Sequence, residues 1–378
     1  MDAKQVAALI RPDIYEMDPY TPVVPFEVLC ARLGLPADQI VKVDANENPY
    51  GPSPKVAEAL ARYPYYHIYP DPNHTLLREA LQKYVGVERE YLMLGTGSDE
   101  LLEVVIRLFV QPGDAVVNCP PTFGMYAFLA SVAGARILLV PRRDDLGLDL
   151  AAIESLFARG GPSPKLIFVA SPNNPDGSVL SQVDLLRLLA LGAVVVVDQA
   201  YVEFGGTDFS PLVPTYANLI VMRTFSKWAG LAGLRVGYGV FPSEILGHLF
   251  KIKQPYNVNA AAQTAVLASL GDVETLYARV RTLIAERARL YSGLQAIDYL
   301  DPYPSYSNFI LNRVRDRDAA ELKRALERRG ILVRYYRTPR LQDCIRITVG
   351  TPDQNTRVLA ALRKESVARK TTSLEETR

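Results

Sequence analysis

Five short runs constrain this chain more than any other feature: "AVVNC" (115–119), "RILLV" (136–140), "KLIFVA" (165–170), "AVVVVD" (193–198) and "LIVMRT" (219–224). A strand with one wet face alternates apolar and polar residues, and these runs do not. They are apolar on both faces, and helical patterns such as "TLLREALQKYV" (75–85) and "LLEVVIRLFV" (101–110) stand among them. Strands of that kind are buried under helices on both sides of a mostly parallel sheet. The expected fold class is therefore α/β, with a large mostly parallel-sheet domain.

The pattern changes downstream. Residues 272–297 carry apolar positions at helical spacing, which predicts one long helix. Strands are expected at 307–314, 331–336 and 344–350, with helices over 317–329 and 353–363, which together read as a smaller α+β domain. The polar tail from about 366 is expected to fray. At the other end, 11 of the 27 prolines fall within the first 72 residues. Proline fixes φ and biases its predecessor toward extended backbone, so residues 1–45 read as an extended arm with a short helix or two. The expected division is an arm over 1–45, a large domain over 46–265 and a small domain over 266–378.

Charge narrows the function. Forty-two basic and 41 acidic residues leave a net charge of +1, which argues against a nucleic-acid or membrane surface as partner. The longest apolar run, "LLALGAVVVV" (188–197), is half the length of a membrane span. The start shows no basic and apolar secretory leader. Three scattered cysteines and three histidines outside any ligand motif predict no disulfide framework and no metal, and suit a reducing cytoplasm.

In open α/β sheets ligands bind at the carboxyl ends of the strands, and the uncommon polar residues cluster there. Asp198 ends one run. Asn174 follows another in "SPNNPDG". Thr224, Ser226 and Lys227 follow a third, and "GTGSDE" (95–100) opens a helix whose N–H groups attract phosphate. Each has an ordinary explanation taken singly: Lys227 as a solvated lysine, Asp198 as a helix cap, "GTGSDE" as a turn capped by Ser98 or Asp99, Arg235 as a structural ion pair, Phe123 and Tyr201 as core aromatics, Arg346 as an exposed strand residue.

The ordered set removes that ambiguity. "DANENPYGPS" (44–53), "YPDP" (69–72), "GTGSDELL" (95–102), "PPTFGMY" (120–126), "SPNNPDG" (171–177), "VDQAYVEF" (197–204), "RTFSKWAGLAGLRVGYG" (223–239), "KQPYNVN" (253–259), "SNFILNRV" (307–314) and "CIRITVGT" (344–351) span nearly the whole chain. In that order they resemble the fold-type I aminotransferases that use pyridoxal 5'-phosphate, and among them the histidinol-phosphate aminotransferases.

The resemblance implies roles. Lys227 would join the cofactor aldehyde and act as base and acid. Asp198 would face the pyridine nitrogen, with Asn174 and Tyr201 on the ring oxygen and Phe123 on the ring face. The phosphate would take Gly97, Ser98, Thr224, Ser226 and Arg235, with Tyr69 reaching in from the second subunit of a homodimer. Arg346 and Arg334 are the candidates for the substrate's anion, and Tyr20 for closure over substrate. Asp176 stands where Thr is usual and Gln199 where Glu is usual. Trp228 is bulkier than expected beside Lys227 and is expected at the pocket edge. The implied activity is transamination between L-histidinol phosphate and 2-oxoglutarate in histidine biosynthesis. The alternatives are an aromatic amino-acid aminotransferase of the same fold, a phosphothreonine decarboxylase, and a non-catalytic cofactor-binding regulator.

Overall fold

The computed structural model describes residues 1–19, 24–159 and 162–375, with side chains to 366. Among them twelve strands occur: β1 Val41–Val43, β2 Leu92–Gly95, β3 Ala115–Asn118, β4 Arg136–Leu139, β5 Leu166–Ala170, β6 Val194–Asp198, β7 Leu219–Thr224, β8 Gly237–Val240, β9 Leu300–Pro302, β10 Phe309–Val314, β11 Ile331–Tyr335 and β12 Cys344–Thr348.

Seven of them form one sheet in the order β2-β8-β7-β6-β5-β3-β4. Only β8 runs against its neighbours, pairing antiparallel with both β2 and β7. The side chains sort by parity, as a two-sided strand requires. Ile167, Val169, Val195 and Val197 enter one core cluster, while Leu166, Phe168, Ala170 and Val196 enter another. The continuous apolar runs are thus two interleaved core faces.

The second sheet has the order β1-β11-β12-β10-β9. Its first strand comes from the proline-rich arm: Val41–Val43 pairs parallel with Ile331–Val333. The arm also holds three short helices, Ala3–Ala7, Pro12–Tyr15 and Phe26–Leu33. A helix over Val273–Gln295 leads into the small sheet, and the helix before it, Ala260–Leu270, runs unbroken across the 265/266 division. The last helix extends over Pro352–Glu375, where a frayed tail was expected after about 366. No glycine or proline interrupts 353–375, so nothing local stops the helix. No described helix is long and apolar enough to cross a membrane.

Candidate active site

Strand direction assembles the site. Because β8 opposes both β2 and β7, those two strands point the same way, and the parallel strands β6 and β5 share that direction. Residues after β2, β5, β6 and β7 therefore meet on one edge. The reversed strand β8 begins there: Gly237 lies opposite both Thr224 and Gly95, which brings Arg235, two residues earlier, to the same edge.

The helix Gly97–Phe109 starts at this edge with Thr96 as its N-cap, two or three residues before the Ser98 or Asp99 cap expected of an isolated turn. Gly97 holds φ +76°, and a Cβ there would lie 2.6 Å from Arg235 Nη2. A Cβ on Gly237 would lie 2.6 Å from the Ser98 amide nitrogen. Only glycines let the helix start, the strand and the guanidinium come this close. Thr224 and Ser226 are buried alongside, with their hydroxyls 2.9 Å apart. Arg235 Nη2 reaches Asp99 Oδ2 at 2.9 Å. Glycine amides at a helix start, two hydroxyls and a guanidinium form a cradle suited to a phosphate.

Asp198 closes β6 in a buried position. One oxygen accepts the Ala200 N–H at 3.0 Å and the other accepts the Tyr126 hydroxyl at 2.6 Å. Burial drives its pKa up to about 6, against the opposing pull of those hydrogen bonds. Tyr126 is held by stacking on Phe168, with ring centroids 5.4 Å apart, and by the edge of Phe123 at 5.5 Å.

Lys227 is partly buried, and its Nζ lies 3.3 Å from the Ala45 carbonyl and 5.9 Å from the centre of the Tyr201 ring. Burial first, and the Arg346 cation second, lower its pKa to about 8. Among the described residues no carboxylate forms an ion pair with it; a lysine so placed is suited to covalent and acid–base work. The Tyr201 hydroxyl accepts from Asn46 Nδ2 at 2.9 Å, and burial pushes its pKa up to about 12.

The small sheet supplies the remaining wall. Arg346 is buried, donating to Asn174 Oδ1 at 2.5 Å and to the Asp44 carbonyl at 2.9 Å, while its Nε has no partner. Arg334 lies directly opposite Arg346 in the antiparallel β11/β12 register, and both guanidiniums approach the Tyr336 ring, at 5.5 and 5.8 Å.

The donors present fit pyridoxal phosphate: a pairless lysine, a buried carboxylate, an aromatic at Phe123 and a glycine-walled anion cradle. A family model described as "Aminotransferase class I and II" matches residues 38–362. The chain belongs to the class I and II aminotransferases. Among proteins similar to this aminotransferase, a histidinol-phosphate aminotransferase of Roseiflexus castenholzii is 48% identical over 95% of this chain and 98% of its own. A chloroplastic one of Nicotiana plumbaginifolia is 47% identical over 94% and 86%. The solved histidinol-phosphate aminotransferase of Sinorhizobium meliloti, in complex with pyridoxal 5'-phosphate, superposes with a TM-score of 0.84 at 27% identity, covering 96% of this chain and 98% of that one.

One residue singled out from the sequence lies away from these groups. Tyr69 is 78% exposed and stacks on Tyr256 at 4.5 Å, on the outside of this aminotransferase chain. Tyr20 lies outside the described residues. Trp228 does not edge the pocket: it is fully buried, stacked on Tyr84 at 5.2 Å and Tyr277 at 5.6 Å. The unusual Gln199 and Asp176 are also structural. Gln199 bonds Thr207 and Phe209 within a loop, and Asp176 accepts from Asn173 and the Ser178 N–H.

Sequence reasoning missed Tyr126 and Asn46. Asn46 adopts φ 56°, a conformation asparagine tolerates better than most residues. From there it donates its N–H to Thr348 Oγ1 at 2.9 Å and its amide to Tyr201, tying the small sheet to the site. Both residues lay inside stretches already recognised, "PPTFGMY" and "DANENPYGPS".

Proposed function

We propose that this aminotransferase carries pyridoxal 5'-phosphate and exchanges the amino group of L-histidinol phosphate with 2-oxoglutarate, giving imidazole acetol phosphate and L-glutamate, a reaction run in reverse during histidine biosynthesis in the cytoplasm. The observation that carries the substrate is the Arg334/Arg346 pair. Like charges directly opposite on antiparallel strands repel, and among the described residues neither guanidinium has a carboxylate partner. A phosphomonoester dianion offsets both cations, whereas an α-carboxylate offsets one.

When bound, the cofactor draws electron density from the substrate carbon that loses its proton. Lys227 Nζ supplies the base: with its pKa near 8, a usable fraction is neutral at physiological pH. Asp198 would hold a cationic ring nitrogen, its carboxylate oriented by the Tyr126 hydroxyl. Asn174 is steered by Arg346, so substrate anion and cofactor oxygen are read by linked side chains. Tyr69, exposed here beside Tyr256, serves the partner's phosphate cradle in a homodimer. The three cysteines are free, in keeping with a reducing compartment.

A donor panel tests this reading. Histidinol phosphate is expected to discharge the visible absorbance of the bound cofactor at far lower concentration than phenylalanine, tyrosine or phosphothreonine. Equal response to phenylalanine would instead support the aromatic amino-acid reading, and release of carbon dioxide from phosphothreonine the decarboxylase reading.

A further inference from the structure

The turn that opens the anion cradle is not capped in the usual way. A threonine at an N-cap ordinarily accepts a backbone N–H of the first helical turn through its hydroxyl. Thr96 does not: its side chain takes no N–H of the helix Gly97–Phe109. Its hydroxyl donates instead to the Asn257 carbonyl, 161 residues away. Thr96 thereby leaves the N–H groups of the helix start to an anion from outside.

Two further side chains fix the turn in this state. Glu100 folds back over it, and one carboxylate oxygen, Oε2, accepts the Thr96 N–H at 2.5 Å and Asn257 Nδ2 at 2.9 Å. Gly95 leaves the room for this, since a Cβ there would lie 3.1 Å from that oxygen and 2.8 Å from the Leu101 side chain. Asn257 stands on the connection between the helices Ser243–Ile252 and Ala260–Leu270. Its Nδ2 also donates to the Leu94 carbonyl at 3.1 Å, and its Oδ1 accepts from Lys253 Nζ at 3.2 Å, so both ends of the amide are held.

A carboxylate beside an anion site repels the anion, so the charge of Glu100 works against the ligand. What the turn uses is the acceptor oxygen. We propose that Glu100 and Asn257 are positioning residues for the cofactor's phosphate: together they hold Thr96 turned away from its helix and keep the N–H groups of Gly97 and Ser98 aimed into the cradle. They act through the turn, not as phosphate ligands. The inference rests on reading this edge as the phosphate cradle of pyridoxal phosphate.

The test is equilibrium dialysis of the cofactor-free full chain against pyridoxal phosphate and, separately, against pyridoxal, which has the same ring and aldehyde but no phosphate. Glu100→Ala and Asn257→Ala are each expected to bind pyridoxal phosphate about tenfold more weakly and pyridoxal as before. Glu100→Gln keeps an acceptor oxygen without the charge, and is expected to bind pyridoxal phosphate at least as tightly as the unaltered protein. Charge alone gives the opposite sign for Glu100→Ala, because removing an anion near a phosphate tightens its binding. Unchanged or tighter binding of pyridoxal phosphate in either alanine variant would overturn the proposal. So would an equal loss for pyridoxal, or a Glu100→Gln protein as weak as Glu100→Ala. Arg235→Ala tests the cradle itself. If it leaves the preference for pyridoxal phosphate over pyridoxal intact, the cradle reading falls and this inference with it; if it abolishes the preference while the alanine variants keep theirs, only the roles of Glu100 and Asn257 are refuted.

Discussion

Replacing Tyr126 by Phe removes one oxygen and leaves the ring stacked on Phe168, so no core cavity opens. What is lost is the 2.6 Å bond to the buried Asp198 carboxylate. A hydrogen bond to a charged group contributes roughly 1.5–3 kcal/mol, against about 0.5–1.5 kcal/mol for a neutral pair. The difference, about 1–1.5 kcal/mol, falls on the ionised form alone, which is about one pKa unit. Asp198 should therefore move from about 6 to ~7 in the variant. Its folded pKa lies above the unfolded value of 3.8 in both proteins. The folded state then binds more protons in that window, and stability falls as pH rises through it. The variant continues to lose stability for about one further unit. Cofactor-free Tyr126→Phe is thus expected to be destabilised by about 1 kcal/mol near pH 5 and by roughly 1.5–3 kcal/mol above pH 8. Urea unfolding followed through Trp228, the one tryptophan and fully buried, reads both. A cost equal at the two pH values, or larger in acid, would refute the reasoning.

Other expectations concern the anion sites and the proposed dimer. Gly97→Ala places a methyl 2.6 Å from Arg235 Nη2 at φ +76°; the side chain can swing away, but the left-handed backbone costs about 1–2 kcal/mol, and equilibrium dialysis should show pyridoxal phosphate bound roughly tenfold more weakly. Arg334→Ala should lower kcat/KM for histidinol phosphate by roughly 10–150-fold while leaving phenylalanine turnover nearly unchanged. Tyr69→Phe should weaken cofactor retention, and mixing it with a Lys227→Ala protein should restore full retention in only part of the hybrid sites, since the two residues would come from different chains.

The sheet and its active edge were legible because they follow from local pattern. Apolar runs without alternation announce two-sided strands, and the carboxyl ends of such strands are where Asp198, Thr224 and Lys227 stand. Arg235 was legible for a different reason, its place in an ordered motif; the structure adds that β8 is reversed, which brings its start to the same edge. Contacts that join distant segments were not legible. Asn46 and Thr348 are 302 residues apart, and nothing local in "VKV" shows that it pairs with β11. Tyr126 resembles any buried aromatic; only the aim of its hydroxyl distinguishes it. Trp228 follows Lys227 in an irregular segment with no periodicity to say which side faces the core, and it joins Tyr84 and Tyr277.

Under the proposed mechanism, Arg346 would connect substrate recognition to the base. It holds Asn174, and its charge is the second largest cause of the lowered pKa of Lys227, after burial. An anion arriving on Arg346 would cancel part of that field, so Lys227 would gain proton affinity with substrate in place, which would strengthen it as the proposed base. Arg346→Gln mimics the cancellation permanently. The Lys227 pKa should rise above about 8 but stop short of 10.5, because burial remains. The pH dependence of fluorodinitrobenzene labelling at Lys227 in the cofactor-free protein, followed by peptide mapping, reads the neutral amine directly. Its midpoint should move to higher pH in Arg346→Gln. A midpoint that stays put or falls would mean that burial alone sets the lysine, and that anion binding and proton transfer are not electrostatically linked.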